Sequence, residues 1–376
     1  MSLEQLHQAR ARVQSFLLPS LASLTTELND NWVNDVRKEK SANVSALARS
    51  SLRLTEEMTP DINKIIELVC RRIQIDRSLV DVYVFPSADF NGFCYIHELP
   101  ITVGLSSSLI KTLTGDELAF VLGHEIGHAL FKETANFVAN EECLEDQIYS
   151  RAVEISVDRV GLLAANDCNA AFRAILKTLS GLDDDLLRFD FSHFMAEARD
   201  ALNGNVTEQQ LYSSHPPLAQ RFKALVSFSS SDVYKSRINL DPKGSTSIDQ
   251  VNKVITTSLT NAVDAKAHEI INKSLANLTL WITALLITSQ KKISLSELQN
   301  QCGVDLNKAD IEKAILYVDG YSLGQKAEVL NEKIQNYLIE STRLAPRATM
   351  RLVNNIERIF PDLKFTNLEA IALLIK

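Results

Sequence analysis

The residues best able to do chemistry in this chain are His124-Glu125-Ile126-Gly127-His128. Residues four apart on a helix stand one above the other on the same face, so both imidazoles can reach one metal ion. Zinc favours such nitrogen donors, and a catalytic zinc keeps its fourth position open for water. Glu125 directly follows the first histidine. Its carboxylate therefore stands beside the metal rather than on it, where it can take a proton from that water as a general base. The competing reading is a surface helix that shows two histidines and holds no metal. Phe120, Val121, Leu122 and Ile126 argue against it, because they bury the helix and buried imidazole nitrogens need partners.

A third protein ligand is still required. Downstream, the helical stretch 151–162 sets Glu154 and Asp158 one turn apart on one face. In the functional reading Glu154 is the third zinc ligand and Asp158 accepts the distal N–H of a ligand histidine, fixing its tautomer. In the bland reading the two belong to a solvated charged face, as Glu141, Glu142, Glu145 and Asp146 are taken to do. Spacing leaves both open.

The elements that must position these groups are legible in outline. Thr114 and Glu117 have capping-box spacing, so the histidine helix starts there. Val80-Asp81-Val82-Tyr83-Val84-Phe85, 93–96 and 101–105 have strand composition and predict a small sheet before it. Two amphipathic helices are expected from about Leu3 to Leu54, around the Leu18-Pro19-Ser20 break, and a third from Pro60 to about Ile75 with Thr59 as its N-cap. Helical periodicity resumes at Leu109 and runs to about Phe228, interrupted by Asn203-Gly204-Asn205 and by a turn at His215-Pro216-Pro217. The polar stretch 229–246 is the best linker, and everything after it reads as helix, including the apolar stripe Trp281, Ile282, Leu285 and Leu286.

Composition narrows the function classes. A net charge of -8 gives no basic footprint, so nucleic acid and anionic membranes are poor partners. Five cysteines, an odd number with no Cys-x-x-Cys pair, fit reduced thiols in a cytosol. The polar N-terminus has no signal-type apolar block. The longest apolar stretch, Leu275 to Ile287, falls short of the roughly 20 residues of a spanning helix, so no membrane span is expected.

From about Val80 to Leu225 the chain resembles the gluzincin metallopeptidases that include the HtpX heat-shock proteases and the CAAX prenyl endopeptidases. The parts that carry the resemblance are Asp116-Glu117-Leu118, the His-Glu-x-x-His helix, and Glu154-Ile155-Ser156-Val157-Asp158-Arg159 followed by Gly161. The resemblance implies one zinc per chain held by His124, His128 and Glu154, with Asp158 orienting a histidine. His215-Pro216-Pro217 with Arg221 is similar to the family's late His-Pro motif, which implies that His215 steadies the oxyanion and that Arg221 supports the site; the bland alternative is a turn histidine and an exposed charge. Asn91-Gly92-Phe93 is similar to the stretch bordering the family's cleft, where a substrate peptide adds as a strand. The best-known members are integral membrane proteins; this chain reads as a soluble one.

The resulting expectation is an α+β, mainly helical fold. A zincin-like metalloprotease core with a small sheet beside the active-site helix spans 80–228, N-terminal helices over 1–79 pack on it, and a linker at 229–246 leads to a C-terminal helical domain at 247–376. The expected function is zinc-dependent endopeptidase cleavage of protein or peptide substrates in the cytoplasm, with the C-terminal helices open to a regulatory partner. The alternative is a zinc-stabilised regulatory or binding module of the same fold, latent or inactive.

Overall fold

The computed structural model describes residues 3–21, 42–95, 100–131, 142–202, 206–260, 263–288 and 306–360. Asn203-Gly204-Asn205, Ile96, Cys302 and Glu141 lie outside the described residues. The chain forms two compact units. One comprises Met1–Val138, Tyr149–Asn205 and Ser214–Asn261; the other comprises Ala139–Ile148, Val206–Ser213 and Ala262–Lys376.

In chain order the first unit holds α1 (Leu3–Val13), α2 (42–50), β1 (Leu52–Arg53), α3 (Pro60–Ile73), β2 (Val80–Phe85), β3 (Gly92–Tyr95), β4 (Ile101–Ser106), α4 (Ser107–Thr112) and α5 (Gly115–Phe131). Then follow α6 (Leu144–Ala165), whose first residues count with the second unit, α7 (Cys168–Ser180) and α8 (Phe191–Leu202). The second unit takes α9 (Glu208–Leu211), and the first takes α10 (Leu218–Ser229), α11 (Asp232–Arg237) and α12 (Ile248–Thr260). The second unit closes with α13 (Val263–Thr288), α14 (Lys308–Asp319), α15 (Leu323–Leu344) and α16 (Pro346–Ile359). The fold is α+β and mainly helical, as the sequence implies.

The four strands lie in the order β1-β2-β4-β3. β2 and β4 run parallel, Val80 opposite Ile101, while β3 returns antiparallel on the far side of β4 with Gly92 opposite Leu105. β3 is therefore an edge strand. β4 is buried on both faces, which is why its sequence reads as a continuous apolar run rather than an alternation. α3 starts at Pro60 as expected, but Thr59 makes no side-chain cap: its hydroxyl donates to the Thr55 carbonyl at 3.1 Å instead.

α5 is apolar nearly all round and sits in the core, with Phe120, Leu122 and Ile126 buried. Its closest neighbour in the site is α6. A Cβ at Gly123 would lie 3.0 Å from the Val160 carbonyl oxygen and would overlap the Ala164 methyl, and one at Gly161 would lie 2.9 Å from the Phe120 carbonyl oxygen. Only glycines let these two helices approach so closely.

The stretch 229–246 is no free linker. It carries α11 and a backbone bridge between Ser231 and Thr246, and α12 buries Val251, Ile255 and Leu259 in the core of the first unit. The division thus falls after Asn261, because polarity marked a surface turn and not a loss of packing. Glu145 and Asp146 also depart from the solvated face assigned to them. Glu145 accepts the Arg347 and Ala348 amides at 2.9 and 3.2 Å, and Asp146 pairs with Arg347 at 2.9 Å. Glu145 thereby caps the start of α16, whose first-turn N–H groups have no acceptor within the helix, and Asp146 holds the Arg347 guanidinium beside it.

In the second unit Ile271, Leu278, Ile282, Leu338, Val353 and Ile356 form one apolar core. Among the described residues α13 is the one helix long and apolar enough to cross a membrane, and half of its most apolar stretch is buried inside the structure. It is longer than the Leu275–Ile287 run because it begins twelve residues earlier, at Val263, and within that run Thr279 and Thr283 donate their hydroxyls to the Leu275 and Thr279 carbonyls and pass into the core.

Candidate active site

His124 and His128 stand on the second half of α5 with their Nε2 atoms 3.3 Å apart. Glu154, on α6, closes the triangle: its carboxylate oxygens lie 3.6 Å from His124 Nε2 and 3.6 Å from His128 Nε2. The three residues offer one donor atom each, all within 4.8 Å of one another, which is the arrangement of a metal-holding group. Glu154 Oε2 is buried without a hydrogen-bond partner. A buried carboxylate oxygen left unpaired is costly, and a metal ion is what such an oxygen can serve.

Charges around the site set its protonation. Burial pushes His128 down to about 4, so it is the neutral imidazole that can ligate. Burial also works to lower His124, but the hydrogen bond it donates to Asp158 and the charges of Glu154, Asp158 and Glu125 outweigh it and raise its pKa. Against the effect of burial, the charges of His124, His215, His128 and Arg221 hold Glu154 below the usual carboxylate range.

Behind the triangle, Asp158 Oδ1 lies 2.9 Å from His124 Nδ1, so His124 turns Nε2 toward His128. Arg221 grips Asp158 with two bonds, Nε to Oδ2 at 2.8 Å and Nη2 to Oδ1 at 2.6 Å. Arg221 is thus a buried clamp and not an exposed charge. Its clamp draws the start of α10 onto α6. The loop just before α10 then brings His215 Nε2 to 3.6 Å from Glu154 Oε2, with Nδ1 3.1 Å from Ser214 Oγ. His215 remains 61% exposed, open to whatever enters the site.

Glu125 faces the sheet. A Cβ at Gly92 would meet Glu125 Oε1 and Leu105 Cδ2 at 3.2 Å each, so β3 passes directly over the carboxylate, and a side chain there would push it aside by a few tenths of an ångström. Burial, helped by Glu154 and opposed by His124, lifts the Glu125 pKa to about 7. Cys94, two residues along the same strand, has its thiol pushed well above its ordinary value, first by burial and then by the Glu125 charge. Asn91 is held by the Ser106 backbone and hydroxyl. Phe93 lies on the other face of the sheet, over Gly104 and against Phe85 and Tyr95, so its side chain supports the strand rather than lining the approach to Glu125.

Sequence reasoning missed the buried ion cluster at the start of α5. Glu117 is fully buried, and besides the expected Thr114 amide it binds Arg173 Nε at 2.7 Å and Lys177 Nζ at 2.9 Å, while Lys177 also reaches Asp184 at 2.7 Å. The available signal was Lys177 itself, which follows Ala170 and Ala174 on the buried face of α7. The close helix crossing was missed too, although Gly123-x-x-x-Gly127 is visible in the sequence.

A His-Glu-x-x-His helix completed by a glutamate from a second helix, beside the edge of a small sheet, defines a metallopeptidase. Residues 56–145 and 146–229 match the model of peptidase family M48, and this part of the chain belongs to that family. The match extends the resemblance upstream of β2 and covers every residue of the site. No curated protein and no solved structure matched the chain. The match makes residues 56–229 a metallopeptidase core, of a family of hydrolases acting on peptides.

Proposed function

We propose that the protein is a zinc-dependent endopeptidase. The single observation that carries this is the donor triangle with edges of 3.3, 3.6 and 3.6 Å. Donors held about 2.0–2.1 Å from a tetrahedral zinc stand about 3.4 Å from each other, so two imidazoles and one carboxylate at these separations suit that ion and leave a fourth position free. His124, His128 and Glu154 would hold it. When bound, zinc supplies Lewis acidity, polarising a carbonyl and acidifying water.

The chain's own residues do the rest. Glu125, poised near pH 7, takes the proton of the attacking water and returns it to the leaving amine. His215 reaches in from the exposed side and donates to the oxyanion as it forms. Asp158 and Arg221 keep His124 in one tautomer and orientation. The edge of β3, which pairs with no further strand among the described residues, carries Asn91, Gly92 and Phe93 in its backbone; it takes an extended substrate and lays its scissile bond over Glu125.

A cytoplasmic setting is supported by the odd cysteine count without a Cys-x-x-Cys pair, and Cys70, Cys94, Cys143 and Cys168 are free thiols. A role for α13 as a core helix is supported by its burial in the second unit. The test is metal analysis of the purified protein beside degradation of unfolded casein by wild type and Glu125→Gln. One zinc in each with cleavage by wild type alone is the expected outcome. Cleavage by Glu125→Gln at the wild-type rate, or protein that takes up no zinc, would overturn the reading.

A further inference from the structure

Residues 3–21 lie outside the family match, which begins at residue 56, yet they touch both helices that carry the metal donors. Arg10, on α1, donates from Nε to the Leu130 carbonyl at 2.7 Å and from Nη2 to the Phe131 carbonyl at 3.1 Å. These are the last two described residues of α5, and the last carbonyls of a helix take acceptor bonds from outside its own ladder. A guanidinium there satisfies both and adds a positive charge at the negative end of the helix dipole. His128 stands in that final turn.

The same segment also holds α6. The Phe16 carbonyl accepts from Arg159 Nη1 at 3.0 Å, and the Leu18 amide donates to Ser156 Oγ at 3.1 Å, so both ties fall between or beside Glu154 and Asp158. Phe16, Leu18, Ser156 and Arg159 are all fully buried. One short segment therefore grips α5 just past its second histidine and α6 in the turn that carries the glutamate.

We propose that Arg10 is a positioning residue for the metal centre: by closing the last turn of α5 it holds His128 in register with Glu154. The proposal deepens the zinc reading and rests on it. The role rests on its two bonds to the end of α5, which make Arg10 a positioning residue and not a ligand. A frayed final turn leaves His128 to sample positions in which its Nε2 no longer faces His124 and Glu154, so the ordering cost moves to the moment of metal binding.

The test compares full-length wild type, Arg10→Ala, Arg10→Lys and Arg12→Ala. Arg12 is the control, since it sits on the same helix but its Nη1 binds the Gln74 carbonyl, at 2.5 Å, at the end of α3. Zinc affinity is read by competition with a chelator, and hydrogen exchange of the peptide ending at Phe131 is read in the metal-stripped protein. Arg10→Ala should bind zinc about tenfold more weakly, the lower end of what lost support behind a ligand costs, and should speed exchange of that peptide about tenfold. Arg10→Lys, which keeps the charge and one donor, should recover part of both, and Arg12→Ala should change neither. If Arg10→Ala fails to fold, the Lys variant carries the comparison and should show the intermediate loss. Wild-type affinity and exchange in both Arg10 variants, or equal losses in Arg12→Ala, would overturn the proposal. Should wild type itself bind no zinc, the zinc reading fails, and the exchange of the stripped protein still decides whether Arg10 closes the helix.

Discussion

Gly123→Ala isolates what the close crossing of α5 and α6 contributes. The new methyl would lie 3.0 Å from the Val160 carbonyl oxygen and 3.1 Å from Gly161 Cα, and it would overlap the Ala164 methyl. Carbon atoms are comfortable at about 3.5–4.0 Å, so the two helices must part by about 1 Å. Such overpacking costs about 1–3 kcal/mol, and the better helix propensity of alanine returns up to about 1 kcal/mol, leaving a modest net loss of stability. The metal site is less forgiving. The histidines ride on α5 and Glu154 on α6, with 3.6 Å between their donor atoms, so a parting of about 1 Å takes the glutamate out of range. We expect zinc affinity to fall at least tenfold, and peptidase activity by about a hundredfold, while the protein still unfolds cooperatively. The assay is chelator competition beside thermal unfolding. Gly115→Ala on the same helix, where the new methyl meets only Ile65 at 3.8 Å, is the control and should match wild type. A Gly123→Ala protein with unchanged zinc affinity would show that the crossing does not set the site, and the reasoning would be wrong.

Other outcomes follow from the same geometry. Arg221→Ala leaves the buried Asp158 carboxylate with His124 as its one remaining side-chain partner among the described residues and strips Oδ2 of its bond, which should cost about 3 kcal/mol in urea unfolding; a loss below about 1 kcal/mol would mean solvent reaches that carboxylate. Gly92→Ala should displace Glu125 and lower kcat by about a hundredfold with zinc content intact, and equal kcat in the variant would remove the strand from the site. Despite its burial, Glu117 is held below its ordinary 4.5 by Lys177, the Thr114 amide and Arg173. The unfolded chain then binds this proton first as pH falls. The Glu117 contribution is complete above about 4.5 and is lost below it, toward the depressed folded value. Glu117→Gln should flatten that acid limb in unfolding curves taken across pH, and a limb of unchanged slope would assign acid sensitivity elsewhere.

Some of this could be seen in the sequence because it depends on local spacing. His124 and His128 share a face wherever a helix forms, Glu125 must then stand beside them, and Phe120, Val121, Leu122 and Ile126 around them require burial. Strand composition likewise gave the positions of β2, β3 and β4, while β1, at the end of a stretch expected to be helical, and the sheet order, with β3 at the edge, had to wait for long-range pairing.

What spacing could not decide is which distant charges meet. Glu154 and Glu145 lie on one helix, nine residues apart, and are the same residue type, yet one completes the histidine triangle and the other caps the start of α16. Arg221 and Arg12 are both arginines on amphipathic helices, but one is buried against Asp158 and the other stays exposed. Their environments are set by helices brought together from across the chain, and a charge's role depends on the partner it finds there. The sequence by itself determined the chemistry available to this protein, because metal-ligand spacing is a property of a single helix. Which carboxylate joins it, which arginine steadies it and how closely two helices must cross were decided by tertiary packing alone.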